Sequence, residues 1–216
     1  MPEPAALYDA IIRGDRKAAV EITEAALKAG AGPVELVDGS MIPAMDEVGR
    51  RFENEEYFVP ELLLSGRAMK SALELLRPLL AARGVEPIGT VVIGTVQGDL
   101  HDIGKNLVAA MLEGAGFRIV DVGVDVAPAK FIKAIQTTNA TIVAVSALLT
   151  VTMPAIRTTI DAIREAGLRG QVKIMIGGAP VTRLYAEEVG ADGYSESATG
   201  AVPLARTLLA EAAACR

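Results

Sequence analysis

From about residue 90 onward, short apolar runs rich in β-branched residues alternate with stretches of helical periodicity, and this alternation most restricts the fold. The runs are TVVIGTV (90–96), RIVDVG (118–123), TIVAVSA (141–147), KIMIGG (173–178) and a short DGYS (192–195). Between them lie GKNLVAAMLEGAG, APAKFIKAIQTTN, TMPAIRTTIDAIREAG and TRLYAEEVG, and a last helix is predicted from Thr199 to about Ala213. Strands that are apolar throughout and separated by helices must be covered on both faces, which predicts a doubly wound α/β domain with a five-stranded parallel sheet. Ligands of such sheets bind outside the carboxyl ends of the strands, so the loops after Val96, Val145 and Ile176 are where function is expected.

The first 85 or so residues read differently. Leu7, Ile11 and Ile12 fall at helical spacing in AALYDAIIRGD, and Gly14 closes that segment. A second helix is predicted to open at the N-cap candidate Asp15 and to end at Gly30. In SMIPAMDEVGRRFENEE one stripe holds Met41, Met45, Val48 and Phe52, which makes a third, amphipathic helix. A fourth, FVPELLLSGRAMKSALELLRPLLAARG, carries Pro60 in its first turn and ends at Gly84. Four helices in this length predict a small bundle over residues 1–86, with Pro87 and Gly89 marking a linker and the α/β domain filling 89–216.

Charge and composition remove several function classes. Lys plus Arg total 21 against 27 Asp plus Glu, a net charge of −6, which disfavours an electrostatic grip on nucleic acid or anionic lipid. With 4% aromatic residues and no Trp there is little to stack on single-stranded bases. The only cysteine is Cys215, so no intrachain disulfide forms, and a reducing cytoplasm is the expected location. Neither an export leader nor about 18 consecutive apolar residues is present, so no membrane association is expected. The single histidine, His101, excludes sites built from two or three imidazoles, and a lone Cys excludes a thiolate-rich zinc site.

The loop after the first strand, QGDLHDIGKN (97–106), places Asp99, His101 and Gly104 in an Asp-x-His-x-x-Gly pattern. It departs from the phosphate-cradling GxxxxGK[ST] and GxGxxG loops. What it offers is an imidazole with a carboxylate two positions away, which suits a metal-ligating histidine whose second nitrogen donates to the carboxylate. With one protein ligand to offer, the metal would arrive already chelated by a macrocycle.

DLHDIGKN followed by SALLTVTM and IGGAP resembles the cobalamin-binding region of methionine synthase. The chain is more similar still to the small corrinoid proteins of methyltransferase systems acting on methanol, methylamines and aryl methyl ethers. The resemblance spans nearly the whole chain, because MDEVGRRFENEEYFVPELL resembles the helical cap preceding that family's flavodoxin-like cobalamin domain.

The resemblance implies a cobalamin bound base-off, its benzimidazole tail inserted in the α/β domain and His101 taking its place on cobalt. Asp99 would accept from the other imidazole nitrogen, and Thr152 would supply the relay hydroxyl where methionine synthase has serine. The loop from Gly98 through Asp102, Ile103 and Gly104 would run along the cofactor, with Gly104 clearing a path for the tail. Ser146, Leu148 and Thr150 would line the tail slot, and Gly177, Gly178 and Ala198 would approach the nucleotide. Phe58, with Val59 and Leu62, would form an apolar lid over the methyl-bearing face, hinged near Pro87. Other readings of these residues stay open: Thr152 as the N-cap of a helix beginning at Met153, the Gly177–Gly178 pair as a tight turn, and Phe58 as bundle core.

A detachable lower ligand is useful because methylated cobalt accepts an axial base while the reduced nucleophile sheds it; proton uptake by His101, Asp99 and Thr152 is expected to accompany reduction. The function implied is a methyl carrier, not itself an enzyme. Its expected partners are a substrate:corrinoid methyltransferase, a second methyltransferase acting on tetrahydrofolate or a thiol, and a reductive activase. One alternative is a cobalamin-dependent sensor, though residues 1–88 carry 15 acidic against 10 basic side chains, ill suited to DNA. Another is the small subunit of an adenosylcobalamin isomerase, which would lack the cap.

Overall fold

The computed structural model describes residues 4–214 and divides into two compact units. One spans the chain to Pro87 together with Glu113–Gly116; the other comprises Ile88–Leu112 and the chain from Phe117 on. Cys215 lies outside the described residues.

The first unit is helical. Its elements are α1 (Pro4–Ile12), α2 (Arg16–Lys28), the single turn α3 (Pro33–Leu36), α4 (Ile42–Glu53) and α5 (Val59–Ala82). Asp15 caps α2, its carboxylate accepting the Ala18 N–H at 3.0 Å. Between α3 and α4 the residues Val37–Met41 form a wide π-turn. The sequence reading missed both α3 and this turn, because Gly32, Pro33 and Gly39 look like loop residues, yet Pro33 is tolerated at a helix start where its missing N–H costs nothing. Leu7, Ile11, Met41, Met45, Leu62, Met69 and Leu76 are buried. Leu62 is thus core and cannot serve in a lid, whereas Phe58, just ahead of α5, is 63% exposed. The Glu61 carboxylate accepts the Phe58 N–H at 3.0 Å and fixes the backbone there.

The second unit is α/β. Its strands are β1 (Thr90–Val96), β2 (Arg118–Val126), β3 (Ile142–Ser146), β4 (Lys173–Gly177) and β5 (Gly193–Tyr194). They form one parallel sheet in the order β2-β1-β3-β4-β5, the doubly wound arrangement expected. Helices α6 (Ile103–Gly114), α7 (Pro128–Thr138), α8 (Pro154–Glu165), α9 (Arg183–Val189) and α10 (Ala201–Ala214) supply the crossovers and the final cover.

Side chains alternate along each strand, so Val92, Val143, Val145, Ile174 and Ile176 join Phe131, Ile135, Ile156 and Ile160 in one core cluster. Val91, Ile93, Ile142 and Met175, on the alternate positions, are buried as well, which is why the central strands read as unbroken apolar runs. The edge strand β2 is the exception. It extends to Val126 rather than stopping at Gly123, it is only partly buried, and its register with β1 slips twice, between Ile93 and Gly94 and between Gly94 and Val96. Among the described residues, no helix is long and apolar enough to cross a membrane.

Candidate functional site: a histidine held at the sheet switch point

β1 and β3 lie side by side, but the chain leaves β1 toward β2 and leaves β3 toward β4, in opposite directions along the sheet. A crevice opens where the loops part, at the carboxyl ends of the two strands. Asp99 and His101 stand on the first loop, Leu148 and Thr152 on the second.

Asp99 is fully buried and collects four hydrogen bonds. Its Oδ1 accepts the His101 backbone N–H at 3.1 Å and meets His101 Nδ1 at 2.7 Å. Its Oδ2 accepts the Leu148 N–H at 2.7 Å and the Thr152 hydroxyl at 2.7 Å. Burial alone would push this carboxyl up, but the bonds from Leu148, Thr152 and His101 outweigh it and hold Asp99 well below the usual carboxylate range. An ionised carboxylate only accepts, so the proton of the imidazole sits on Nδ1 and the lone pair on Nε2. Thr95, buried on β1, donates its hydroxyl to the His101 carbonyl at 2.8 Å. The imidazole is therefore anchored by ring and by backbone, while its side chain remains 49% exposed.

Thr152 Oγ1 also lies 2.9 Å from the Leu149 carbonyl, but the hydroxyl has one proton and the charged acceptor is the stronger partner. Helix α8 begins at Pro154 with Met153 at its cap and no side-chain capping bond, so Thr152 serves Asp99 and not the helix.

The remaining residues singled out in the sequence fall around this core. Gly98 adopts φ +83, a left-handed conformation that glycine takes freely. Asp102 is exposed and accepts the Asn106 side-chain N–H at 3.0 Å. Ile103 and Gly104 open α6, and a Cβ built on Gly104 would meet nothing within 4 Å. Ser146 ends β3, opposite Thr95 on one side and Gly177 on the other. Gly178 has φ +127, and a Cβ there would come within 1.8 Å of the Ala147 carbonyl oxygen, so only glycine fits. Thr150 is exposed on the β3–α8 loop and Ala198 half-buried on the β5–α10 loop. Phe58 belongs to the helical unit.

Sequence reasoning missed Thr95, whose partner is a backbone carbonyl, and it singled out Ile103 and Leu148 but not the apolar Leu100, Leu149 and Val151 near them. Leu100 is 73% and Val151 80% exposed, and Leu148 and Leu149 on the second loop and Ile103 at the start of α6 are exposed too. Large apolar side chains gathered in loops around an accessible imidazole mark a surface meant to be covered. Also missed was Lys105, buried in the first turn of α6 with its ammonium 2.5 Å from Asp121 Oδ2 and 2.7 Å from Asn106 Oδ1.

Two family models, each described as a B12 binding domain, match residues 5–77 and 89–202. Trimethylamine corrinoid protein 1 of Methanosarcina acetivorans is 44% identical over 203 residues, covering 93% of this chain and 94% of the relative. This chain belongs to the B12-binding corrinoid proteins. Among solved structures, the methanol:cobalamin methyltransferase complex MtaBC of Methanosarcina barkeri matches with a TM-score of 0.86 at 31% identity, over 96% of this corrinoid protein and 79% of that chain. A cobalamin-binding protein from Desulfitobacterium hafniense matches with a TM-score of 0.76 at 32% identity, over 95% and 98% of the two chains.

The cofactor of this corrinoid protein is cobalamin, and the residues present fit it. The site offers one imidazole with an available Nε2, exposed apolar side chains on the neighbouring segments, and open space over Gly104.

Proposed function

We propose that this corrinoid protein is the methyl-carrying component of a multi-protein methyltransferase system and holds cobalamin base-off through His101. Bound cobalamin supplies a cobalt that accepts a methyl group from one partner and gives it to another. The observation that carries the reading is the 2.7 Å contact between His101 Nδ1 and the fully buried Asp99. That contact fixes the tautomer and leaves Nε2 as the nitrogen that would ligate the metal.

Asp99 and Thr152 set how firmly the imidazole is held, and protonation of this group would release it when cobalt is reduced. Gly98, Asp102, Ile103 and Gly104 would line the lower face of the corrin, with Leu100 and Val151 adding apolar contact. Ser146, Leu148, Thr150, Gly177, Gly178 and Ala198 would enclose the nucleotide tail between the strand ends. Residues 1–86 would act as a cap, with Phe58 over the methyl-bearing face, and 89–216 as the cobalamin domain. The similarity to the methanol:cobalamin methyltransferase complex supports a substrate:corrinoid methyltransferase as the first partner. The second would be a methyltransferase acting on tetrahydrofolate or a thiol, with a reductive activase to rescue oxidised cobalt, all in the cytoplasm.

The test is absorption spectroscopy of protein reconstituted with methylcobalamin. His101→Ala is expected to bind the cofactor yet show the spectrum of cobalt lacking its nitrogen ligand; an unchanged spectrum would remove His101 from the ligand role. Incubation with a methylamine or methanol methyltransferase and its substrate is expected to methylate the reduced protein, and failure with each such partner counts against the carrier role.

A further inference from the structure

The edge strand β2 holds Asp125 at φ +50, one of three non-glycine residues with positive φ among the described residues. Left-handed backbone is costly for any residue with a Cβ, by about 1 kcal/mol or more, and persists where neighbouring bonds compel it. At Asp125 those bonds lead to one place. The Asp125 carboxylate Oδ1 accepts the Gly98 N–H at 2.7 Å, and the Asp125 backbone N–H donates to the Asp99 carbonyl at 2.9 Å. The dipeptide Gly98–Asp99 is therefore gripped at its leading amide and its trailing carbonyl by one residue 27 positions away.

The register slip between Gly94 and Val96 brings Asp125 there: Gly94 pairs with Gly123 and Val96 with Val126, so β2 carries an extra residue in that interval. Such a bulge re-aims a side chain, and here the backbone turns left-handed at the point where it reaches the neighbouring loop.

We infer that Asp125 is a positioning residue for the cobalt ligand. Asp99 orients His101, and Asp125 orients the backbone from which the Asp99 side chain departs. With the clamp present, the carboxylate that fixes the imidazole tautomer stands on a peptide held at both ends. Without it, the Asp99 N–H to the Val96 carbonyl at 3.1 Å remains, but the Gly98 amide loses its acceptor at the residue that restricts φ least. The inference rests on His101 being the ligand.

The experiment compares Asp125→Gly and Asp125→Asn with the parent protein. Glycine relieves the strained φ and deletes the carboxylate; asparagine tolerates the left-handed conformation and keeps a side-chain oxygen to accept from Gly98. Apo Asp125→Gly is expected to melt no lower than the parent protein, yet to bind methylcobalamin about tenfold more weakly, with part of its absorption shifted toward that of His101→Ala. Asp125→Asn is expected to restore most of the affinity and the parent spectrum. If Asp125→Gly binds with parental affinity and spectrum, or if affinity falls only in step with the melting temperature, Asp125 is no more than a turn residue. If His101→Ala itself leaves the parent spectrum unchanged, the ligand assignment and this inference fall together. Should Asp125→Gly not fold, amide exchange at Gly98 of the intact apo protein decides: slow exchange agrees with the clamp, and exchange at the rate of an open loop overturns it.

Discussion

Thr152 Oγ1 lies 2.7 Å from Asp99 Oδ2, joining the loops after β1 and β3 across 53 positions of sequence. The threonine methyl does not disturb this bond. It lies toward Gly98, where a built Cβ would still stand 3.9 Å from Thr152 Cγ2. Removing the hydroxyl while keeping the shape, as in Thr152→Val, leaves a buried carboxylate short of one donor, which costs about 1.5–3 kcal/mol. Thr152→Ser keeps the donor and should lose well under half of that. Denaturant unfolding of the three apo proteins measures both, and a Val variant as stable as the parent beside a destabilised Ser variant would mean that the methyl, and not the hydroxyl, matters.

The depressed acidity of Asp99 carries a pH dependence of definite sign. Its folded-state carboxyl lies below the ordinary value of 3.8, because hydrogen bonds to the charged form outweigh burial. The stabilisation is therefore fully present above the unfolded value and is lost as pH falls from about 4 toward the folded one. Measured against Asp99→Asn, the stability advantage of the parent apo protein should be constant from pH 7 to about 5 and shrink below 4. An advantage unchanged at pH 3 would show that the ionised form is not what the bonds favour.

Two glycines near the site should respond in opposite ways. Alanine at position 178 places a Cβ within 1.8 Å of the Ala147 carbonyl at φ +127, so the β4 end must move and folding suffers by about 3 kcal/mol or more. Gly104 lies in the first turn of α6 with open space above it, and Gly104→Ala should leave the apo fold intact or stabilise it by up to about 1 kcal/mol. Its methyl would nonetheless enter the volume assigned to the nucleotide tail. Thermal melts paired with methylcobalamin titration separate the cases; parental affinity in Gly104→Ala would mean that the tail passes elsewhere.

Much of this architecture is legible because each local signal agrees with the tertiary result. Asp15 at a helix start, Pro60 in a first turn and unbroken apolar runs at β1 and β3 all describe what is observed. Where the reading stopped short, a residue ordinarily taken as a breaker was used otherwise. Gly123 and Asp125 look like the end of a strand, yet both adopt positive φ inside a bulged edge that continues to Val126. Pro33 looks like loop and opens a helix. At the site, Asp99 and His101 are two positions apart, so their bond could be anticipated from spacing. Thr95 and Asp125 act on backbone atoms of that loop, and no side-chain pattern announces a backbone partner.

Asp99 divides its two oxygens between the loops, Oδ1 to His101 and Oδ2 to Leu148 and Thr152. Neither loop can therefore be exchanged alone. Grafting the histidine loop of a relative into this scaffold would require transplanting the 148–152 segment with it, as a single module inherited or lost in one piece.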